Sequence, residues 1–378
     1  MSLLATVNGR GTPVNRVTTR DDAPPPRVGD PEFRQMLEAY TLVTMRPGHE
    51  ARLMSCGDET YPALWADLRA AREFIALQMY YAKPGKVADT LREVLIERAR
   101  AGVQVMVLFD YFGSSLKRDY LDSLREAGVE VARFRAPRLM SLQNAYHRAH
   151  VRAIVIDGTV GWTGGFGFDD KWLGDGRHKG QWRDTSVRVT GPGLTQLFAT
   201  FATCWAEATG ELLAGRLHWE PAVRTSAATR ESEGARGPDA PFAGFLHAAP
   251  GVGSTPGERL LALAIVGARK RLWMTTAYFV ADDDFRRFAI AAAQRGVDVR
   301  ILTAGDKSDV KSTRYAARAR YEHLIEGGVR VYESDKMIAD YATNKGPKPI
   351  VWPLLGPGGE KMTRDFPMVP DSENEKHD

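Results

Sequence analysis

Two widely separated stretches of this chain repeat one another, and that repetition restricts its fold more than any other feature. FIALQMYYAKPGKVADTLREVLIERARAGVQVMVLFD (74–110) aligns with RLWMTTAYFVADDDFRRFAIAAAQRGVDVRILTAG (271–305). Within the pair, Tyr80-Tyr81 matches Tyr278-Phe279, and Ala101-Gly102-Val103 matches Arg295-Gly296-Val297. Further on, LREAGVEV (124–131) matches LIEGGVRV (324–331). Each block reads strand, helix ending at a glycine, strand, helix, strand, because short apolar runs alternate with longer amphipathic ones. Strands alternating with helices predict a mostly parallel sheet covered by helices. Two such units predict an α/β duplication: two mixed, mostly parallel sheets with flanking helices around a pseudo-two-fold axis, the second half incomplete.

The rest of the chain divides around these blocks. Residues 1–36 are polar and Pro-rich and read as a disordered N-terminal segment. The first half then spans 37–222, and 223–242 (VRTSAATRESEGARGPDAPF) reads as a linker. The second half spans 243–333, and 334–378 is an irregular tail. Pro347, Pro349, Pro353 and Pro357, with Gly346, Gly356, Gly358 and Gly359, preclude a long regular element there.

Composition excludes several function classes. A chain of 378 residues, 43% hydrophobic and 26% charged, is that of a globular protein able to build two large cores. A net charge of +4 is too small to argue for nucleic acid. Cys56 and Cys204 make no disulfide framework, and no Cys/His cluster has zinc spacing. No apolar stretch approaches the ~18 residues of a membrane span, and the N-terminus lacks a signal-peptide core. The expectation is a reducing, cytoplasmic compartment with any membrane contact peripheral.

The chemistry concentrates at His150-Val151-Arg152-Ala153-Ile154-Val155-Ile156-Asp157, followed by Gly164-Gly165. The apolar run ending in Asp157-Gly158 predicts a buried strand entering a tight turn. Side chains alternate along a strand, so His150 and Arg152 emerge on one side, roughly 6–7 Å apart. Such a pair holds one phosphate, the imidazole attacking phosphorus and the cation neutralising the equatorial oxygens.

This pattern resembles the His-x-Lys-x4-Asp-x6-Gly-Gly/Ser signature of the phospholipase D superfamily. The longer run HRAHVRAIVIDGTVGWTGGFGFDDKWLGDG, with QWRDTSVRVTGP after it, is similar to the bacterial cardiolipin synthase-like branch. The likeness extends from about Gly57 to Glu333. Two departures stand within it. Arg152 replaces the usual lysine, keeping the charge and adding a bidentate fork. Gly167 stands where many members carry a phosphate-binding asparagine, which removes one phosphate hydrogen bond. The resemblance implies His150, Arg152 and Asp157 as catalytic residues and requires neither metal nor other cofactor.

Other residues have competing uses. Gly164 and Gly165 make room for phosphate or let neighbouring strands approach closely. Asp157 also starts a turn. His147 and Asp184 are candidates for a supporting role around the site. Ser254 and Thr255, at the start of a second-half helix, offer backbone N–H groups to a phosphate or simply cap the helix. Asp282-Asp283-Asp284 read as N-cap and first-turn acids rather than metal ligands. Lys307, Lys311, Arg314 and Arg318 form a basic stripe, either solvated or facing anionic lipid.

The resemblance implies transfer of phospholipid phosphodiesters through a phospho-histidine, with phosphatidylglycerol as substrate. A second histidine from the other half would protonate the leaving alcohol and activate the incoming one. A hydrolytic phospholipase or a nuclease on the same scaffold is the alternative enzyme, and nucleic acid is disfavoured by the charge. The second half carries no matching His-x-Lys-x4-Asp before the tail, where only His377 remains. That leaves open an inactive remnant that binds anionic phosphoesters. A protein at the inner membrane face follows from the lipid reading, and the oligomeric state is left open.

Overall fold

The computed structural model describes residues 13–19, 23–135, 150–178, 180–215, 242–247, 255–305 and 310–334. They form two compact units. One comprises residues up to Asp175 with Asp184–Gly267, and the other Gly176–Arg183 with the chain from Ala268.

The first unit is built on a seven-stranded sheet with order β1-β7-β6-β5-β2-β3-β4. The strands are β1 (Glu50–Met54), β2 (Phe74–Met79), β3 (Gln104–Asp110), β4 (Glu130–Phe134), β5 (Arg152–Ile156), β6 (Val160–Gly164) and β7 (Ser186–Thr190). All six residues of β2 are buried, which explains a strand that reads as continuous apolar sequence instead of an alternating one. Helices α1 (Pro31–Thr41), α2 (Gly57–Ala70), α3 (Lys86–Arg100), α4 (Arg118–Glu126), α5 (Leu194–Thr209) and α6 (Pro256–Gly267) belong to this unit. Phe74, Ala76, Met106, Leu108, Ala153 and Val155 share one face of the sheet and bury it against Leu197, Phe198, Phe201 and Trp205 of α5. Arg152 and Ile154, one residue out of phase, emerge on the opposite face with Tyr61 and Leu64 of α2.

The mixed α/β architecture is as the sequence predicts, with a refinement of strand pairing. β2, β3 and β4 are parallel neighbours, but the other four neighbouring pairs are antiparallel. A parallel sheet needs long crossovers, and the α3 and α4 segments provide them. From β5 to β6 there is only a turn, closed by Thr159 N–H to the Ile156 carbonyl at 3.0 Å. Asp157 (φ 51°) and Gly158 (φ 63°) both take left-handed backbone there, which suits Asp-Gly.

The second unit carries a three-stranded parallel sheet, order β10-β9-β8, from β8 (Arg271–Thr276), β9 (Asp298–Ala304) and β10 (Arg330–Ser334). Helices α7 (Asp283–Gln294), α8 (Lys311–Arg318) and α9 (Tyr321–Glu326) connect them. The strand–helix–strand–helix–strand order read from the repeat is present in both units. Asp282 caps α7 by accepting from Phe285 N–H at 2.7 Å, the use expected of the acidic triplet.

Two boundaries differ from the sequence reading. Residues 31–36 are not disordered but open α1, where Pro31 fits the first turn and Phe33, 5% exposed, packs on Gly267. Residues 255–267 group with the first unit, so the second begins at Ala268 rather than 243. The linker, apart from Phe242, and the tail from residue 335 lie outside the described residues.

Candidate active site

The antiparallel pairing of β2 with β5 sets Arg152 opposite Met79. Tyr80 follows β2 directly and His150 stands just before β5, so the pairing brings their rings together. The centroids are 4.3 Å apart with a 50° tilt. From the shared side of the chain, the Arg152 guanidinium folds back onto the imidazole. Nη1 donates to Nδ1 at 2.9 Å, and Nη2 lies 3.5 Å from Nε2. A guanidinium only donates, so Nδ1 accepts and the ring proton resides on Nε2. Tyr80 was visible in the sequence only as part of the repeat; its place on His150 required the β2–β5 register.

His150 keeps an exposed surface, yet desolvation around its ring, helped by the Arg152 charge, pushes its pKa down to about 4. The imidazole is therefore neutral throughout the physiological range, the state a nucleophile requires. In a histidine NMR titration of the native protein, the His150 resonance should titrate near pH 4 rather than 6.5. Arg152→Ala should move that midpoint upward by removing the repulsive charge. A His150 midpoint at 6.5 in native protein would refute this electrostatic picture.

The glycines and Asp184 form a tight support beneath the pair. Gly164 has φ 141°, and a Cβ there would lie 2.3 Å from the Thr185 carbonyl oxygen. A Cβ on Gly165 would sit 1.9 Å from Asp184 Oδ1. Both glycines thus allow close approach of the β7 entry. Asp184, whose pKa burial raises, accepts from Thr185 N–H at 2.8 Å, and its charge favours the protonated Arg152. The Arg152 value itself is lowered, chiefly by burial. A cavity of about 30 Å³ adjoins Arg152, with walls from Tyr61, Met79, Ile154 and Phe166. That is room for a water or two, not for a phosphodiester.

Asp157 is not brought to His150. It stands at the other end of β5, and its carboxylate accepts from Arg72, Glu73 and Phe74 N–H at 2.9, 2.8 and 2.9 Å. Its work is to tie the start of β2 to the β5 turn. Asp157→Ala should lower unfolding free energy by about 2–4 kcal/mol, the scale of several charge-assisted bonds lost together, and Asp157→Asn by less. Urea denaturation reads this; native-like stability of Asp157→Ala would contradict it.

Gly167 has no space for a side chain. A Cβ would lie 2.6 Å from the Tyr81 carbonyl oxygen and 2.9 Å from Cζ3 of Trp172, and Tyr61 Oη donates to the Gly167 carbonyl at 2.9 Å. The Trp172 indole closes the place that a longer residue would need. Asp169 and Asp170 cap neighbouring turns, Asp170 accepting from Lys86 and Val87 N–H at 3.0 and 2.9 Å.

The remaining candidates disperse. Thr255 caps α6, its Oγ1 accepting from Glu258 N–H at 3.2 Å. His147, Ser254 and Lys307 lie outside the described residues. Lys311 is exposed, but Arg314 and Arg318 are committed to Glu333, which is 4% exposed, at 3.1 and 2.6 Å. Arg314 and Arg318 therefore belong to an internal ion-pair network with Glu333 rather than to an open cationic wall. Among the described residues no three His, Cys, Asp or Glu side chains converge as metal ligands would, and no helix is long and apolar enough to cross a membrane.

Comparison with known proteins adds to this geometry. The family described as "Cardiolipin synthase, PLD-like domain" matches residues 64–205 and 261–345. The second match runs past Glu333, where the sequence likeness was expected to stop. The chain is 34% identical over 294 residues to a cardiolipin synthase of Geobacillus sp. (strain WCH70), covering 76% of this chain and 55% of that protein. It is 33% identical over 316 residues to a cardiolipin synthase of Geobacillus kaustophilus, covering 81% of this chain and 60% of that one. It thus spans just over half the length of these curated relatives. Among solved structures, phosphatidylserine synthase of Haemophilus influenzae shares the fold, with a TM-score of 0.53 at 12% identity over 82% of this chain and 78% of that one.

Proposed function

The chain belongs to the phospholipase D-like family of cardiolipin synthase domains, and from that premise we propose that it transfers phosphatidyl groups through a covalent adduct on His150. The observation that carries the reading is the Arg152–His150 contact, in which a cation and a neutral imidazole lie within hydrogen-bond distance of each other. A phosphodiester entering there accepts the guanidinium N–H groups, which releases the imidazole lone pair. A ring nitrogen then attacks phosphorus, the bond to the leaving alcohol breaks, and the alkoxide takes up a proton from water. A second alcohol attacks the phosphoimidazole and gives its proton to water, the N–P bond breaks and the free neutral ring returns. With phosphatidylglycerol as donor and acceptor, the products are glycerol and cardiolipin. Such a lipid substrate puts the protein at the surface of an anionic membrane, for a cytoplasmic protein its inner face. Asp184 acts as a support for this pair, and Gly164 and Gly165 let the chain at Asp184–Ser186 approach it closely.

A second reading has its own support: His-x-Arg-x4-Asp occurs once in the 378 residues, so a phosphoester-binding protein of slow turnover fits the same pair. Incubation with phosphatidylglycerol and, separately, phosphatidylethanolamine, read by mass spectrometry, tests both. Cardiolipin with glycerol supports the transferase. Phosphatidic acid alone makes the protein a hydrolase. Binding of phosphatidylglycerol without any product supports the second reading, and neither binding nor product refutes both.

A further inference from the structure

Three loops meet at the His150 end of the first unit's sheet, and they are laced to one another through the backbone. Ala82, after β2, bridges both Ser114, after β3, and Phe168, after β6. Ser115 N–H donates to the Ala82 carbonyl at 2.9 Å, and Lys83 N–H to the Phe168 carbonyl at 2.9 Å. The middle of this rim holds two aromatics outward. Tyr111 is 40% exposed and Phe112 64%, although both follow directly on the fully buried end of β3.

The outward position is built. Asp110 Oδ1 accepts from Phe112 and Gly113 N–H at 2.8 and 2.9 Å, turning the chain sharply as it leaves the sheet. Arg133 donates to the Tyr111 and Ser114 carbonyls, both at 3.1 Å, and its guanidinium covers the Tyr111 ring at 4.9 Å. Gly113 lies so close to the Tyr80 carbonyl that a Cβ would stand 2.2 Å from its oxygen. Tyr80 in turn lies tilted against the His150 ring. The exposed tip is therefore fixed one packed residue away from the imidazole. Around it the loops supply cations: Lys83 and Lys117 are exposed, and Arg118 is 91% exposed while touching Asp122 at 3.3 Å.

Rigid aromatics projecting beside basic residues match the boundary between headgroups and acyl chains of an anionic bilayer. We propose that this rim is a lipid-docking surface, in which Phe112 and Tyr111 enter an anionic phospholipid bilayer and present its headgroups to His150. The inference rests on the lipid-transfer reading for its choice of occupant, in preference to a protein partner. An aromatic side chain of this exposure, moved from water to the interface, strengthens partition by roughly tenfold.

The test separates docking from chemistry. Native protein and Phe112→Ser are sedimented with phosphatidylcholine vesicles with and without phosphatidylglycerol, and both are assayed on a short-chain phosphatidylglycerol below its micelle concentration. The expected result is preferential binding of native protein to phosphatidylglycerol vesicles, weakened roughly tenfold by Phe112→Ser, with unchanged turnover of the soluble lipid. Vesicle binding unchanged within about twofold in Phe112→Ser, or no binding of native protein, overturns the docking surface. An equal loss of turnover on the soluble lipid also overturns it, by making Phe112 part of the site or the fold. Normal docking behaviour with no lipid product in either protein leaves the surface standing and refutes the transfer reading alone.

Discussion

Replacing His150 with alanine should eliminate the covalent phosphoryl adduct and lower turnover by on the order of 10³-fold or more. The expectation follows from the imidazole's position: it accepts from the Arg152 guanidinium at 2.9 Å, and it is neutral at working pH. The substitution leaves the fold intact because His150 lies outside β5 and keeps an exposed surface. The adduct is read by mass spectrometry after an alkaline quench, because an N–P bond to imidazole hydrolyses in acid. Tyr80→Phe, which retains the ring against His150, should stay close to native. Turnover of His150→Ala within about tenfold of native would remove the nucleophile assignment.

The second large effect concerns the leaving group. Protonation of a departing alkoxide by a positioned acid is worth about 10²–10⁴-fold in rate. The sequence carries the His-x-Arg-x4-Asp pattern once, and His150, the proposed nucleophile, has a pKa of about 4 and brings no proton at neutral pH. Phosphodiesters with an alkyl leaving group should therefore react about 10²–10⁴-fold more slowly than those with a nitrophenyl group, which departs without a proton. Pre-steady-state kinetics on a matched pair of substrates measures the ratio. Equal rates of adduct formation on the two would show that another residue supplies the acid, and would restore efficient transfer between natural lipids.

How much of this was legible in the sequence depends on whether the signal was local. The repeat predicted the order of elements in both units because strand and helix periods are properties of contiguous residues, as in 74–110 and 271–305. Strand direction was less accessible: the antiparallel β5–β6–β7 portion follows from short turns whose partners lie across the sheet. The same limit governs the site. His150 and Arg152 are two residues apart, and their meeting could be foreseen from strand alternation. Asp157 belongs to the same motif, but its partners are backbone groups at 72–74, 85 to 83 residues away, so its architectural use was concealed. Tyr80 escaped notice for the corresponding reason. Arg314 and Arg318 looked like a solvated stripe because helical spacing reports which face they share, not that the buried Glu333 lies opposite.

The contact between Gly167 and Trp172 closes an evolutionary route. Placing asparagine at position 167 by a single change would drive its Cβ into the Tyr81 carbonyl and the indole. The amide could return only after residue 172 had been trimmed and the backbone near Tyr81 had shifted. Trimming Trp172, which is 3% exposed and stacked edge-on against Tyr81, would by itself open a void in the rim's foundation. Each single step is thus worse than the present pair, so the two positions are locked together. With the Trp172 indole where that amide would need room, the proposed grip on a phosphate falls to the Arg152 fork alone.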